Sequence, residues 1–331
     1  MTPEEIRRAR AKAHRPRARD FAVSHGIPEA ALLAAHVGPL ITRIDAAPDR
    51  LMPLVAALGQ ALALTRNESC VQERTGQYPD CRIGQDAGTV TGAEVSLRLF
   101  PAHWRHGFAV VEPNARGTKR SLQVFDAAGE AVHKVHLTPE SDVAAFDALV
   151  AALRLPDQGD GFSAEASVAV MPGAAPDAAR MLRDGWKDAT AQDFDSLLAG
   201  LGLTRPAAYR LAGPGLARPL DPAAVTQVLS AVAADGITVQ IASGNAGCLQ
   251  IFEGRVANIV PTGPWINVLD PLFNLHLRTD HLAGVWLVDR PDRNGPSPAI
   301  EGFDAAGAAV VRISAAGPEW QALAGALPGL A

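Results

Sequence analysis

Phe125-Asp126-Ala127-Ala128-Gly129 recurs unchanged as Phe303-Asp304-Ala305-Ala306-Gly307, 178 residues downstream. At the same offset Cys70-Val71-Gln72 meets Cys248-Leu249-Gln250, and Asn67 meets Asn245. Gly76 meets Gly254, and Leu97 and Leu99 meet Leu275 and Leu277. Sliding residues 65–137 over 243–315 without a gap gives 18 identities in 73 positions. Chance in so alanine-rich a chain gives about six, so the period marks a duplication, and its length excludes a solenoid repeat. A fainter echo precedes it, Asp20-Phe21 against Asp193-Phe194. The duplicated unit is the size of a domain.

The halves are read as 1–155 and 179–331, joined by a linker at 156–178. Pro156, Asp157, Gly159, Asp160, Gly161, Pro172, Gly173 and Pro176 cluster there, a composition that breaks regular structure. Each half opens on Ala/Leu-rich stretches with few breakers, 28–36 and 50–64 in the first, 194–201 and 222–234 in the second. These are predicted helices. Short alternating runs follow, among them Val95–Leu99, Ser121–Phe125, Thr238–Ile241 and Val285–Val288. The two Asp-Ala-Ala-Gly tetrapeptides read as hairpin turns with glycine at positive φ. Helices first and consecutive strands after predict an α+β fold, a tandem structural repeat with antiparallel sheets.

The chain has 331 residues, a length for about two domains, with 48% hydrophobic and 20% charged residues. That supports a sizeable core. A net charge of −5 argues against a dedicated nucleic-acid or anionic-membrane binder, though not against a local basic pocket. Cys70, Cys81 and Cys248 show no C-x-x-C spacing and read as buried thiols of a reducing cytosol. Residues 1–20 are basic without an apolar stretch, which fits a solvated first helix and not a secretory signal. No window of about 18 uninterrupted apolar residues occurs, so membrane insertion is not expected. A soluble, cytoplasmic protein is expected. The sequence lacks a Walker A motif, a G-x-G-x-x-G after a strand, H-E-x-x-H and G-x-S-x-G, so nucleotide, zinc-hydrolase and nucleophile-elbow chemistries find no support.

Several segments in order carry a resemblance. They are Thr65-Arg66-Asn67, Leu97-Arg98-Leu99-Phe100 with Trp104, and Phe125 to Lys134. In the second half come Leu203-Thr204-Arg205, Gly244 to Ile251, Trp265 to Leu269, Phe273 to Leu277, and Arg290-Pro291. Together they resemble the HemS/HmuS/ChuS family of bacterial cytoplasmic haem-utilisation proteins, the haemin-degrading factors. The resemblance implies two similar halves, each a large antiparallel β-sheet with a helical lobe, and a haem cleft in the C-terminal half. It also implies haem as ligand or substrate, a haem importer upstream, and a haem oxygenase or reductase as possible partner.

Site residues follow from the same resemblance. Arg98 stands where the family directs an arginine at a haem propionate. Arg205 follows Leu-Thr at the end of the helix that carries the iron ligand, and Arg290 precedes Pro291 where relatives have lysine. Arginine suits a carboxylate because its fork donates two parallel hydrogen bonds. Gln192 stands where the family has its axial histidine, and no histidine occurs between His136 and His276. Gln72 replaces a second customary histidine. An amide is a poorer iron donor than imidazole. The expectation is therefore haem held mainly by stacking and propionate pairing. No metal site is expected from the pairs His103/His106, His133/His136 or His276/His281, and Trp265, Phe273 and Trp286 read first as core. Carriage and delivery of haem is the leading function, haem degradation the alternative, and a non-haem interaction scaffold the third.

Overall fold

The computed structural model describes residues 1–14, 16–114, 117–165, 175–186, 191–292 and 295–330, and at 114, 191–193, 290–292 and 295–297 only the backbone. The chain divides into two compact units. Unit 1 comprises Met1–Arg66, Glu73–Val168 and Asn245–Gln250; unit 2 comprises Asn67–Gln72, Ala169–Gly244 and Ile251–Ala331. Each unit therefore takes six residues from the other half of the sequence, and these are the Asn-x-x-Cys-x-Gln segments of the repeat.

The first half of the chain runs α1 (Pro3–Lys12), α2 (Ala18–Ser24), α3 (Glu29–Ala34), β1 (Ile41–Ile44), α4 (Pro48–Val55), β2 (Gly59–Arg66) and β3 (Cys70–Gly76). It continues through β4 (Asp80–Ile83), β5 (Gly88–Thr91), β6 (Ser96–Leu99), β7 (His106–Asn114), β8 (Gly117–Phe125), β9 (Ala131–Ser141) and α5 (Val143–Leu153). Thr2 caps α1 in a capping box with Glu5, and Asp142 caps α5. Within unit 1 the strands lie in the antiparallel order β1-β7-β8-β9-β2, with β4-β5-β6 as a second meander. The predicted helix over 50–64 is half right. The helix ends at Val55, Gly59 turns the chain at φ 70°, and β2 then alternates buried and half-buried side chains. The small alanines at 61 and 63 fit a packed sheet as well as a helix, so packing overrides propensity there.

The second half runs α6 (Ala178–Trp186), α7 (Ala191–Gly200), α8 (Arg205–Ala212), β10 (Ala217–Leu220), α9 (Ala224–Asp235), β11 (Val239–Gly244) and β12 (Cys248–Gly254). Then come β13 (Ile259–Thr262), β14 (Trp265–Asp270), β15 (Phe273–Arg278), β16 (Gly284–Asp292), β17 (Gly295–Phe303), β18 (Ala309–Ser314) and α10 (Pro318–Ala326). The order β10-β16-β17-β18-β11, with the meander β13-β14-β15, repeats unit 1 strand for strand. The fold is α+β, a tandem repeat in which each half carries large antiparallel sheet structure and a helical lobe. Both Asp-Ala-Ala-Gly tetrapeptides are the expected hairpin turns: Gly129 and Gly307 stand at φ 84° and 80°, and Asp126 and Asp304 close their turns by backbone bonds to residues 130 and 308. Residues 155–165 lie along unit 1, where the Gln158 side chain pairs with the Arg43 backbone and Phe162 packs edge-on to His106.

The repeated asparagines are clasps. Asn67 Oδ1 accepts from the Ser69 and Cys70 amides at 2.9 and 2.8 Å, while its Nδ2 donates to the Gly244 and Val310 carbonyls at 3.1 and 2.9 Å. Asn245 Oδ1 accepts from the Gly247 and Cys248 amides at 3.0 Å, and its Nδ2 donates to Arg66, Ala131 and Val132. Each clasp pins one exchanged segment within the unit that receives it. Only an amide side chain supplies acceptor and donor together at this reach. Asn67→Ala and Asn245→Ala are each expected to cost about 2–4 kcal/mol, because several buried backbone groups lose their partner at once. Asn→Asp at either position should also destabilise, since it loses both donors. Urea unfolding of the four variants measures this; an unchanged midpoint for Asn245→Asp would count against the clasp.

Candidate functional site

The helical lobe of unit 2 is built on aromatic packing. Leu182 and Trp186 of α6, Phe194 and Leu198 of α7, and Ala208, Tyr209 and Ala212 of α8 bury against Trp286, Val288 and Phe303 of the sheet. Trp186 meets Phe194 edge-on at 4.7 Å between ring centres, and Tyr209 stands 5.9 and 5.8 Å from Trp286 and Phe303. The Trp186 indole N–H donates to the Asp289 carbonyl at 2.9 Å, which ties α6 to β16. Of the aromatic residues expected in the core, Trp286 and Phe273 are buried. Trp265 is half-buried, its ring 5.3 Å beneath the Arg278 guanidinium.

Beneath this lobe lies a carboxylate that sequence reasoning passed over. Glu301 sits on β17 with 3% of its side chain exposed. Its Oε2 accepts from the Tyr209 hydroxyl at 2.6 Å and from Arg205 Nη1 at 3.2 Å, and Arg312 Nε lies 3.7 Å from Oε1. Arg205 also forks onto the exposed Asp195 of α7, with Nη2 at 2.6 and 2.9 Å from its two oxygens and Nε at 3.1 Å. Burial would lower the Arg205 pKa, but Glu301, Tyr209 and Asp195 outweigh it and raise it further. The signal in the sequence was a lone acid inside the apolar strand Ala299-Ile300-Glu301-Gly302-Phe303. Unit 1 holds Gln123 at the matching position and pairs Lys134, the counterpart of Arg312, with buried Glu29 at 2.5 Å. Both units thus place an ion pair between sheet and helical lobe.

Arg205 does not end the helix that carries Gln192. It opens the next one: α7 stops at Gly200, and the Thr204 hydroxyl caps α8 by accepting from the Ala207 amide, with Pro206 in the first turn. Gln192 lies on α7, three residues before Asp195, so the Arg205 fork ties the two helices together; its side chain lies outside the described residues. Arg290 lies on β16 opposite Ser297, and its side chain is likewise outside the described residues. Arg98 stands in unit 1 on β6 opposite Thr89, exposed, with no hydrogen bond or ion pair among the described residues. Gln72 is fully buried and accepts from the Ser243 hydroxyl at 3.0 Å.

In unit 1 a closed polar cluster surrounds Cys248. His133 Nδ1 lies 2.8 Å from Thr65 Oγ1, His133 Nε2 3.0 Å from the Tyr78 hydroxyl, and the Cys248 sulfur 3.5 Å from Thr65 Oγ1. Burial pushes the Cys248 thiol up to about 12 and pulls His133 down to about 3. A thiol so disfavoured as thiolate is not a nucleophile. Cys70 is also buried and Cys81 half-buried, and none of the three is in a disulfide. No helix among the described residues is long and apolar enough to cross a membrane.

The sequence profile of the haemin-degrading HemS.ChuX domain matches the chain twice, over residues 26–153 and 202–327. The hemin transport protein HmuS of Yersinia pestis is 32% identical over 313 residues, covering 92% of this chain and 89% of that protein. The solved structure of holo-PhuS, described as a heme-binding protein from Pseudomonas aeruginosa, superposes with a TM-score of 0.94 at 37% identity over 100% of both chains. ChuS, described as an E. coli heme oxygenase, gives a TM-score of 0.86 at 28% identity, covering 95% of this chain and 97% of that one.

Glu301→Ala should destabilise unit 2 by about 3–5 kcal/mol, the range for stranding one partner of a buried pair. Chemical denaturation reads it, and a loss below 1 kcal/mol would show the pair to be idle. His133 gives a pH signature. Its folded pKa lies near 3 against an ordinary 6.5, so the unfolded chain takes the proton first. The stability it guards is whole above pH 6.5 and drains as pH falls toward 3. His133→Gln should flatten the slope of unfolding free energy between pH 6.5 and 5 relative to wild type.

Proposed function

The chain belongs to the haemin-degrading HemS.ChuX domain family, and from that premise we propose that it binds haem and carries it between import and use. The observation that carries this reading is the end-to-end likeness to holo-PhuS, a heme-binding protein, at 37% identity. The sequence halves 1–155 and 179–331, with 156–178 between them, are taken as the two repeats, a division the double domain match over 26–153 and 202–327 supports.

The chemistry of the unit 2 lobe suits such a cargo. Haem offers two carboxylates, and the lobe offers an arginine whose fork is already set for one. Arg205, Arg290 and Gln192 are the residues of this lobe proposed to meet it; Arg98, in unit 1, is proposed as a propionate partner on the resemblance alone. Arg205 is the most informative, because its donors already hold carboxylates. A propionate gains Arg205 by replacing Asp195, which is exposed and resolvates at small cost, while Glu301 stays and keeps the guanidinium aimed. Lacking imidazole on α7, this lobe holds haem by stacking and charge pairing. Such a grip is suited to release. The setting proposed is the cytoplasm, with a haem importer before this protein and a haem oxygenase or reductase after it.

Degradation of haem by the chain itself is the second reading, favoured by the 28% identity to ChuS. Incubation of the haem complex with ascorbate separates the two. Carriage predicts that catalase prevents bleaching; degradation predicts loss of the Soret band with catalase present, together with a tetrapyrrole product.

Titration with ferric haem should shift the Soret band. Arg205→Ala should weaken the unit 2 site about 10- to 150-fold, the equivalent of about 1.5–3 kcal/mol for a hydrogen bond to a charged group. Asp195→Asn, which removes the competing carboxylate, should tighten it. A Soret band that wild type leaves where free haemin has it would end the haem reading.

A further inference from the structure

Three rings meet in the core of unit 1 at positions that are aliphatic in unit 2. Tyr78, His133 and Trp104 are all buried, with Trp104 the most exposed of them at 5%. The His133 ring centre lies 6.0 Å from that of Tyr78 and 6.3 Å from that of Trp104. The residues 178 positions downstream are Val256, Val311 and Leu282, each buried. Unit 2 keeps the same strand order with these aliphatic side chains, so the fold itself does not require the rings. Buried polar groups are seldom better for stability than apolar ones of like size. What sets the three apart is their chemistry.

The hydrogen bonds fix where the protons are. His133 engages both nitrogens, Nδ1 at 2.8 Å from Thr65 Oγ1 and Nε2 at 3.0 Å from the Tyr78 hydroxyl. A neutral imidazole has one N–H, and burial keeps this one neutral. Were that proton on Nε2, the phenol would accept, and its own buried proton would find no acceptor among the described residues. With the proton on Nδ1, every group is served. Nε2 accepts from the phenol, Nδ1–H donates to Thr65, and the Thr65 hydroxyl faces the Cys248 sulfur at 3.5 Å. Tyr78 therefore aims its O–H at an imidazole lone pair, out of contact with solvent and within reach for proton transfer.

We propose that Tyr78 and His133 form a proton-coupled redox site, with Trp104 as the relay that connects it to a one-electron oxidant outside the core. The oxidant takes an electron from the Trp104 indole. Tyr78 refills the indole, and its O–H bond breaks as the electron leaves. The proton passes to His133 Nε2, so the products are a neutral tyrosyl radical, an imidazolium and the reduced oxidant. A one-electron donor such as ascorbate returns the electron, and the proton goes back to the phenol oxygen. Proton and electron travel together because burial holds the phenol well above its ordinary pKa of 10, which denies the site a phenolate. The imidazolium is disfavoured there too, so the oxidised pair draws an electron back readily. That is what a site needs if it intercepts oxidants and resets. The proposal stands apart from the haem reading and does not depend on it.

The test oxidises the full-length chain, without haem, by photogenerated ruthenium(III) tris(bipyridine), with freeze-quenching for electron paramagnetic resonance. The sequence has two tyrosines, Tyr78 and Tyr209, so the signal can be assigned by substitution. Wild type should give a tyrosyl radical that Tyr209→Phe keeps and Tyr78→Phe loses. Tyr78→Phe keeps the ring and removes one oxygen, which separates loss of the phenol from loss of the fold. Wild-type radical formation should be slower in deuterium oxide than in water. His133→Val, the residue unit 2 has at that place, should slow it several-fold and abolish the isotope effect. Trp104→Leu, again the unit 2 residue, should also slow it several-fold. A signal that survives Tyr78→Phe, or a rate and isotope effect that His133→Val leaves unchanged, overturns the proposal. So does wild type that yields a tryptophan radical alone or no protein radical.

Discussion

The whole arrangement depends on two asparagine side chains at equivalent places in a duplicated chain. Each takes two amide protons of its own turn with one atom and reaches two or three distant carbonyls with the other. The residues they fasten, 67–72 and 245–250, are those each unit receives from the other half of the sequence. An exchanged segment is entropically expensive to order, and a hydrophobic contact would hold it without fixing its register. Directional bonds to named backbone groups do fix it, which is why a polar residue stands there in both halves.

Around that frame the units keep the same strand order and diverge in buried chemistry. Unit 1 fills its interior with the neutral cluster Thr65, Tyr78, His133 and Cys248. At the positions matching Tyr78 and His133, unit 2 has Val256 and Val311, both buried. Charge is divided the other way. Unit 2 collects Glu301, Arg205, Asp195 and Arg312 where sheet meets helices, while unit 1 places the separate pairs Lys134–Glu29 and Arg19–Glu130 there. The buried Glu301 carboxylate, which also accepts from Tyr209, keeps the Arg205 guanidinium charged and oriented.

On the proposed reading, with Gln192 and no histidine on α7, the work of holding haem shifts from the iron to the rim of the porphyrin. Binding then comes from area and propionate charge, and transfer to an acceptor breaks no strong iron–nitrogen bond.

The repeat, the α+β order, the hairpins at Gly129 and Gly307, the first helix and the family likeness were all legible in the residues, because each rests on neighbours or on a period in the chain. So was the loss of histidine from 137 to 275. The strand at 59–66 was not, since alternating alanine and leucine suit either structure until a sheet covers one face. Nor were the partners of Arg205, which lie 10 and 96 residues away. Sequence by itself determined which groups are present and their local conformation. Only the tertiary structure decided which of them meet, because distant side chains become neighbours only when the chain packs, and it is packing that turns an arginine into half of an ion pair.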